Sequence, residues 1–227
     1  MINSLFIMLL KMTLLLTTVS LCLLISACAY SKQSTFISLV QQGDAVAVEK
    51  LLNKRFIKLE ERVDNGDTAL LIAARAGDMV LFDLLVKYGA NINVLAANDR
   101  DILNLSVRIS QPNLAKHALK AGISTHTFTP SYQGSALIFA AAEGEVEIVE
   151  ALISAQAPLN RRNNLGWTAL LEAVILGDGS ARYQKIVSLL LDAGADKNIK
   201  DKLGQSPLAH AKKKGYKEII ELLTKEH

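Results

Sequence analysis

Short stretches of helical hydrophobic periodicity alternate along this chain, and they come in pairs. In Gly166-Trp167-Thr168-Ala169-Leu170-Leu171-Glu172-Ala173-Val174 the residues after Thr168 predict a short helix. The Thr168 hydroxyl is placed to accept the unpaired N–H groups at its start. Ile186, Leu189 and Leu190 then share one face of a second helix, which Gly194 can end by taking the left-handed conformation. A helix pair of this size buries too little to be stable alone. It needs copies to stack against.

The chain supplies those copies. The same layout recurs at Gly66-Asp67-Thr68-Ala69-Leu70-Leu71, Ser135-Ala136-Leu137-Ile138 and Gly204-Gln205-Ser206-Pro207-Leu208-Ala209. Aligned on the capping position, Thr68, Asp101, Ser135, Thr168 and Ser206 follow one another at steps of 33, 34, 33 and 38 residues. All five are good N-cap residues. The distance from cap to closing glycine is 21 residues in Thr68 to Gly89 but 26 in Thr168 to Gly194. An insertion is therefore expected within Gly177-Asp178-Gly179-Ser180-Ala181-Arg182-Tyr183, between the two helices.

At these residues the chain resembles the ankyrin-repeat family, whose unit is a β-turn and two antiparallel helices with a Thr-Pro-Leu-His signature. That slot reads Thr-Ala-Leu-Leu, Asp-Ile-Leu-Asn, Ser-Ala-Leu-Ile, Thr-Ala-Leu-Leu and Ser-Pro-Leu-Ala. Ala73-Ala74, Ala140-Ala141, Gly77-Asp78, Gly144-Glu145 and the pair Gly89-Ala-Asn-Ile-Asn and Gly194-Ala-Asp-Lys-Asn agree in register. The signature histidine is missing throughout, and the unit from Asp101 to Gly122 is the most degenerate, with Ser110 and Pro112 in place of glycine and its neighbour. The resemblance implies an all-α solenoid of about six units over residues 34–225, the first and last acting as caps. Leu189 and Leu190 are expected to be buried between second helices.

The start of the chain follows different rules. The first 27 residues hold no acidic side chain and one lysine, Lys11, followed by an apolar run from Met12 to Ile25. That is the pattern of a secretory leader. Ile25-Ser26-Ala27-Cys28 resembles the bacterial lipobox, which implies a leader over residues 1–27, acylation at Cys28 and a polar tether over 28–33. A lipid anchor facing the periplasm is the implied location. Ala29 follows the cysteine where an Asp would retain such proteins at the inner membrane, so sorting to the outer membrane is expected. Two other readings stay open: an ordinary cleavage site giving a soluble periplasmic protein, and residues 12–29 kept as an uncleaved anchor, just long enough to span. Cys22 lies in the leader, so the remainder has no thiol for disulfides.

Charge narrows the partners. Lys11 apart, 24 basic residues stand against 22 acidic ones, and nucleic acid as the main ligand would need a concentrated basic face instead. His117, His126, His210 and His227 show no metal-binding pair spacing, and there is no Gly-rich phosphate loop, Gly-x-Ser-x-Gly or free cysteine nucleophile. No cofactor, metal or catalytic group is expected. Lys212-Lys213-Lys214 reads as the solvated outer face of a capping unit.

What remains is a surface. In the ankyrin family partners meet the finger tips and the exposed side of each first helix, which line a concave face. Carried over, those positions include Arg75, Arg100, Arg108, Tyr132, Asn164, Leu165, Trp167, Ile175 and Lys202. Arg, Tyr and Trp dominate interface energetics, and Leu165, Trp167, Ile175 and Leu176 form a candidate apolar patch. The resemblance thus implies a non-catalytic module, monomeric when unbound, that binds a protein partner. Inhibition of a periplasm-acting toxin, in the manner of an immunity protein, and scaffolding of an envelope enzyme are the two concrete versions. A rival class is an enzyme or ligand-binding protein with the loop 177–184 as a lid, for which only Asp178 and Tyr183 are available.

Overall fold

Five of the first helices begin where a side-chain oxygen closes their first turn. Thr68 accepts from the backbone N–H of Leu71, Asp101 from that of Asn104, Ser135 from that of Ile138, Thr168 from that of Leu171 and Ser206 from that of Ala209. The computed structural model describes residues 32–54, 57–96, 101–129 and 132–225. Residues 1–31, with the expected leader and Cys28, lie outside them. Twelve helices among the described residues form six pairs: α1 (32–42) with α2 (Ala45–Leu52), α3 (Ala69–Ala76) with α4 (Met79–Lys87), α5 (Ile102–Arg108) with α6 (Pro112–Lys120), α7 (Ala136–Glu143) with α8 (Val146–Ser154), α9 (Ala169–Ile175) with α10 (Ala181–Asp192), and α11 (Pro207–Lys214) with α12 (Lys217–Thr224). None is long and apolar enough to cross a membrane.

First helices pack on first helices, α3 to α5 to α7 to α9 to α11, and second helices on second, α2 to α4 and onward to α12. The core runs between the rows as one ribbon: Leu70, Phe82 and Leu85, then Leu103 and Leu114, Leu137 and Leu152, Leu170, Ile186 and Leu190. Each such side chain gains about 1.5–3 kcal/mol from leaving water. Each pair meets only its neighbours, so this burial must be repeated at every junction.

Three expectations change. Residues 32 and 33, assigned to the tether, already belong to α1, where buried Gln33 exchanges two hydrogen bonds of 3.1 Å with the backbone of Lys58. The folded unit therefore begins before residue 34. Leu190 is fully buried, but Leu189 is only half-buried. The buried face of α10 is Tyr183, Ile186, Val187, Leu190 and Leu191, a stripe at helical spacing that leaves Leu189 on its edge.

The insertion is the third. Part of it lengthens α10 to 12 residues, against 9 in α4, α6 and α8. Tyr183 is buried there, and its hydroxyl donates to the Ala142 carbonyl of α7 at 3.0 Å. From the other side the Tyr216 hydroxyl donates to Gly177 O at 2.8 Å, and Lys214 Nζ donates to Ile175 O and Gly177 O. A Cβ on Gly177 would lie 2.2 Å from Ala173 O and 2.7 Å from the Tyr183 ring, so only glycine fits. A segment bonded to both neighbours is a rivet rather than a lid.

The third pair departs most from the rest. Where α3, α7 and α11 end on left-handed Gly77, Gly144 and Gly215, Ser110 takes φ 51, a region costly for a side chain with a Cβ. Pro112 opens α6, where its missing N–H has no partner to lose.

Candidate interaction surface

The fingers between pairs are built from backbone N–H groups folded onto one side chain. Asn163, 5% exposed, accepts from the N–H groups of Leu165 and Trp167 through Oδ1, both at 2.9 Å. Asp201 holds the next finger in the same way, accepting from Leu203 N and Gln205 N. Neighbouring fingers are tied to each other as well: Asn164 N donates to Tyr132 O, and Arg162 Nη2 to Lys200 O at 2.6 Å. Lys202 lies over Gly166, its Cγ 3.1 Å from where a Cβ would stand. Tyr132, Asn164, Leu165, Trp167 and Lys202 are thereby brought into one finger row.

Seven steps past each cap stand Arg75, Arg108 and Ile175, at the far end of their helices. Arg75 does not face outward freely: its Nε donates to Asp67, a buried carboxylate, at 2.8 Å. Arg108 is exposed and makes no ion pair among the described residues. Trp167 and Ile175 are half-buried, while Leu165, Leu176 and Leu203 are 42%, 55% and 83% exposed. Arg100 lies outside the described residues.

Tyr132 has a second role that its place in the list conceals. Its hydroxyl donates at 2.8 Å to Oε1 of Glu172, which also accepts from Asn163 Nδ2 at 2.7 Å. Glu172 is 1% exposed, and its Oε2 has no partner among the described residues. Burial pushes the Glu172 carboxyl above its ordinary value, with the bonds from Tyr132 and Asn163 pulling the other way. Burial also raises the Tyr132 hydroxyl, and the adjoining Glu172 adds to the shift through its hydrogen bond and charge.

A perturbed carboxyl next to a tyrosine would mark a catalytic site if a substrate could reach it. Here the carboxyl is sealed between α9 and two fingers, so its work is to join them. The next unit has a counterpart: His210 Nε2 lies 2.8 Å from buried Asp201 Oδ2, nine residues earlier, as Asn163 is nine before Glu172. This network was missed because a glutamate in a helix reads as surface. The signal that marks it is register, since four steps past the first three caps stand Ile72, Leu105 and Phe139, while Thr168 and Ser206 are followed there by Glu172 and His210. Among the described residues no three His, Cys, Asp or Glu side chains gather to hold a metal.

Stacked helix pairs joined by hydrogen-bonded fingers define a repeat solenoid whose exposed chemistry is that of a protein-interaction module. The chain belongs to the ankyrin-repeat family: the model for a single ankyrin repeat matches residues 65–98 and that for three ankyrin repeats matches 103–201. It is 32% identical over 192 residues to YahD of Escherichia coli (strain K12), a protein named for its ankyrin repeats, covering 83% of this chain and 93% of YahD. The solved ankyrin repeat domain of Acinetobacter baumannii AYE superposes with TM-score 0.77 at 37% identity, over 83% of this chain and 95% of that one. A chain in the complex of the Bd0816 predatory endopeptidase with immunity protein Bd3460, from Bdellovibrio bacteriovorus, gives TM-score 0.67 at 24% identity, over 85% and 97% of the two chains. That last likeness speaks to the fold.

Proposed function

We propose that this protein binds a protein partner on the face made by its fingers and first helices, and that it does so without catalysis. One observation carries the reading. Of the seven large apolar side chains exposed among the described residues, Leu95, Phe128, Leu165, Leu176 and Leu203 belong to fingers or to the end of a first helix, and only Val46 and Val80 to second helices. Apolar exposure concentrated on one face marks contact. Half-buried Trp167, held by Asn163, is the anchor best fixed to use it.

Truncating Trp167 to Ala is expected to weaken partner capture by about 2 kcal/mol with the fold intact. Arg108→Ala is expected to weaken it less, and Lys87→Ala, which breaks an exposed pair with Glu49 on the second-helix side, to leave it unchanged. Capture by each variant, with circular dichroism as the check on folding, tests this. Loss with Lys87→Ala and retention with Trp167→Ala would place the partner on the other face.

The tether is part of the proposal: Cys28 carries lipid, and the solenoid faces the periplasm from the outer membrane. Ile25-Ser26-Ala27-Cys28 supports it. Cys28→Ala is expected to abolish labelling by a radioactive fatty acid, and a variant labelled as strongly as the parent would refute the anchor. In that setting neutralising a toxin that acts in the cell's own periplasm, as an immunity protein does, is the role proposed. The presence of an ankyrin-type chain in the endopeptidase and immunity-protein complex is compatible with it at the level of fold.

A further inference from the structure

Three steps past the cap, α3, α7 and α9 carry Leu71, Ile138 and Leu171, all fully buried, and α11 carries exposed Ala209. The third pair carries Asn104 there, 5% exposed. Its Nδ2 donates to Asp101 Oδ1 at 2.8 Å. A carboxylate only accepts, so this bond fixes which way round the amide sits and turns Oδ1 away from Asp101. Oδ1 has no partner among the described residues. A buried acceptor without a donor is a cost to the fold that a leucine at this register would avoid.

Asn104 lines a cavity of about 330 Å³ between α5 and α7, together with Val107, Arg108, Ser110, Phe139, Glu143 and Glu145. Ser110 donates to Glu145 at 2.5 Å, but neither glutamate makes an ion pair among the described residues. Two carboxylates against one guanidinium, that of Arg108, leave the lining net negative. The walls thus combine an aromatic ring and two carboxylates that outnumber the one cation in the lining, with the buried, unpartnered oxygen of Asn104 behind them. A guanidinium is their complement: flat enough to stack on a ring, cationic, and carrying five N–H groups in a fork that matches carboxylates. A lysine ammonium would satisfy the charge but offers no flat face.

We propose that this cleft receives an arginine side chain presented by the protein partner, an inference that rests on the reading of this face as a protein-binding surface. The test is titration of the isotope-labelled full chain with N-acetyl-L-arginine amide, followed by NMR of the Asn104 side-chain amide and the Val107 and Ser110 backbone amides. Saturable shifts at these groups are expected. The citrulline analogue, of the same shape without the charge, is expected to bind at least about tenfold more weakly, since hydrogen bonds to charged groups are worth about 1.5–3 kcal/mol. So is the arginine probe to the Glu143→Gln/Glu145→Gln protein. Asn104→Leu installs the residue that the second and fifth pairs carry at this register, so it should fold and lose the response. No saturable shift, equal binding of citrulline, or undiminished binding to either variant overturns the cleft. Those outcomes leave Trp167-dependent capture standing, whereas capture that ignores Trp167 overturns the surface itself.

Discussion

Leu190→Ala is expected to lower the unfolding free energy by about 2–5 kcal/mol, and Leu189→Ala by clearly less. Leu190 is fully buried where α10 meets α8 and α12 in the row of second helices, and truncation leaves a cavity that flanking helices fixed on both sides cannot close. Leu189 stands at the edge of that stripe, and part of its methyl surface already meets water. Lys213→Ala, on an exposed side chain, is expected to stay within about half a kcal/mol. Denaturant midpoints of the three variants decide it. Equal midpoints for the two leucine variants would mean that α10 is turned differently about its axis.

The second large effect is at Asn163. Asn163→Ala removes the Nδ2 donor from the Glu172 carboxyl and the acceptor that folds the Leu165 to Trp167 finger. A hydrogen bond to a charged group is worth about 1.5–3 kcal/mol, and the Tyr132 hydroxyl still donates to Glu172 after the change. The pH dependence separates the two parts. Because Glu172 is held above its ordinary value of 4.5, its neutral form suits the fold: its contribution is fully present below that value and is lost as pH rises through the raised one. Deleting a bond that favours the charged form pushes the carboxyl higher still, so the cost of Asn163→Ala should be greater at about pH 8 than at about pH 4. In a Glu172→Gln background the cost should be smaller and the same at both. A cost in the parent that does not change with pH would show that Glu172 carries no charge in the fold over that range. Asp201 has the opposite sign in a separate window. Burial raises it, but bonds from Gln205 N, His210 and Leu203 N outweigh that and hold it below its ordinary 3.8, so its contribution is lost only as pH falls through the lowered value.

The repeat register was legible in the sequence because capping is local: Thr68, Asp101, Ser135, Thr168 and Ser206 each close their own first turn. The candidate surface was legible only in part. Trp167, Leu165 and Lys202 fall in one finger row as their spacing implies, but Arg75 is occupied by Asp67 and Tyr132 by Glu172. Those partners lie 8 and 40 residues away. Periodicity within a helix ranks faces by hydropathy, and it has no means of showing that a carboxylate on a first helix meets a hydroxyl from the finger before it. The burial of the insertion was hidden for the same reason, since Tyr183 is satisfied by a carbonyl 41 residues earlier.

A stack joined only by nearest neighbours is as strong as its poorest junction, and the third pair carries two weaknesses, left-handed Ser110 and the orphaned oxygen of Asn104. Beyond it Tyr183 and Tyr216 stitch three successive pairs together through backbone carbonyls. Heat or a pulling force would therefore open a seam in mid-chain rather than peel the solenoid from its ends. The half that carries Trp167 would outlast the N-terminal half.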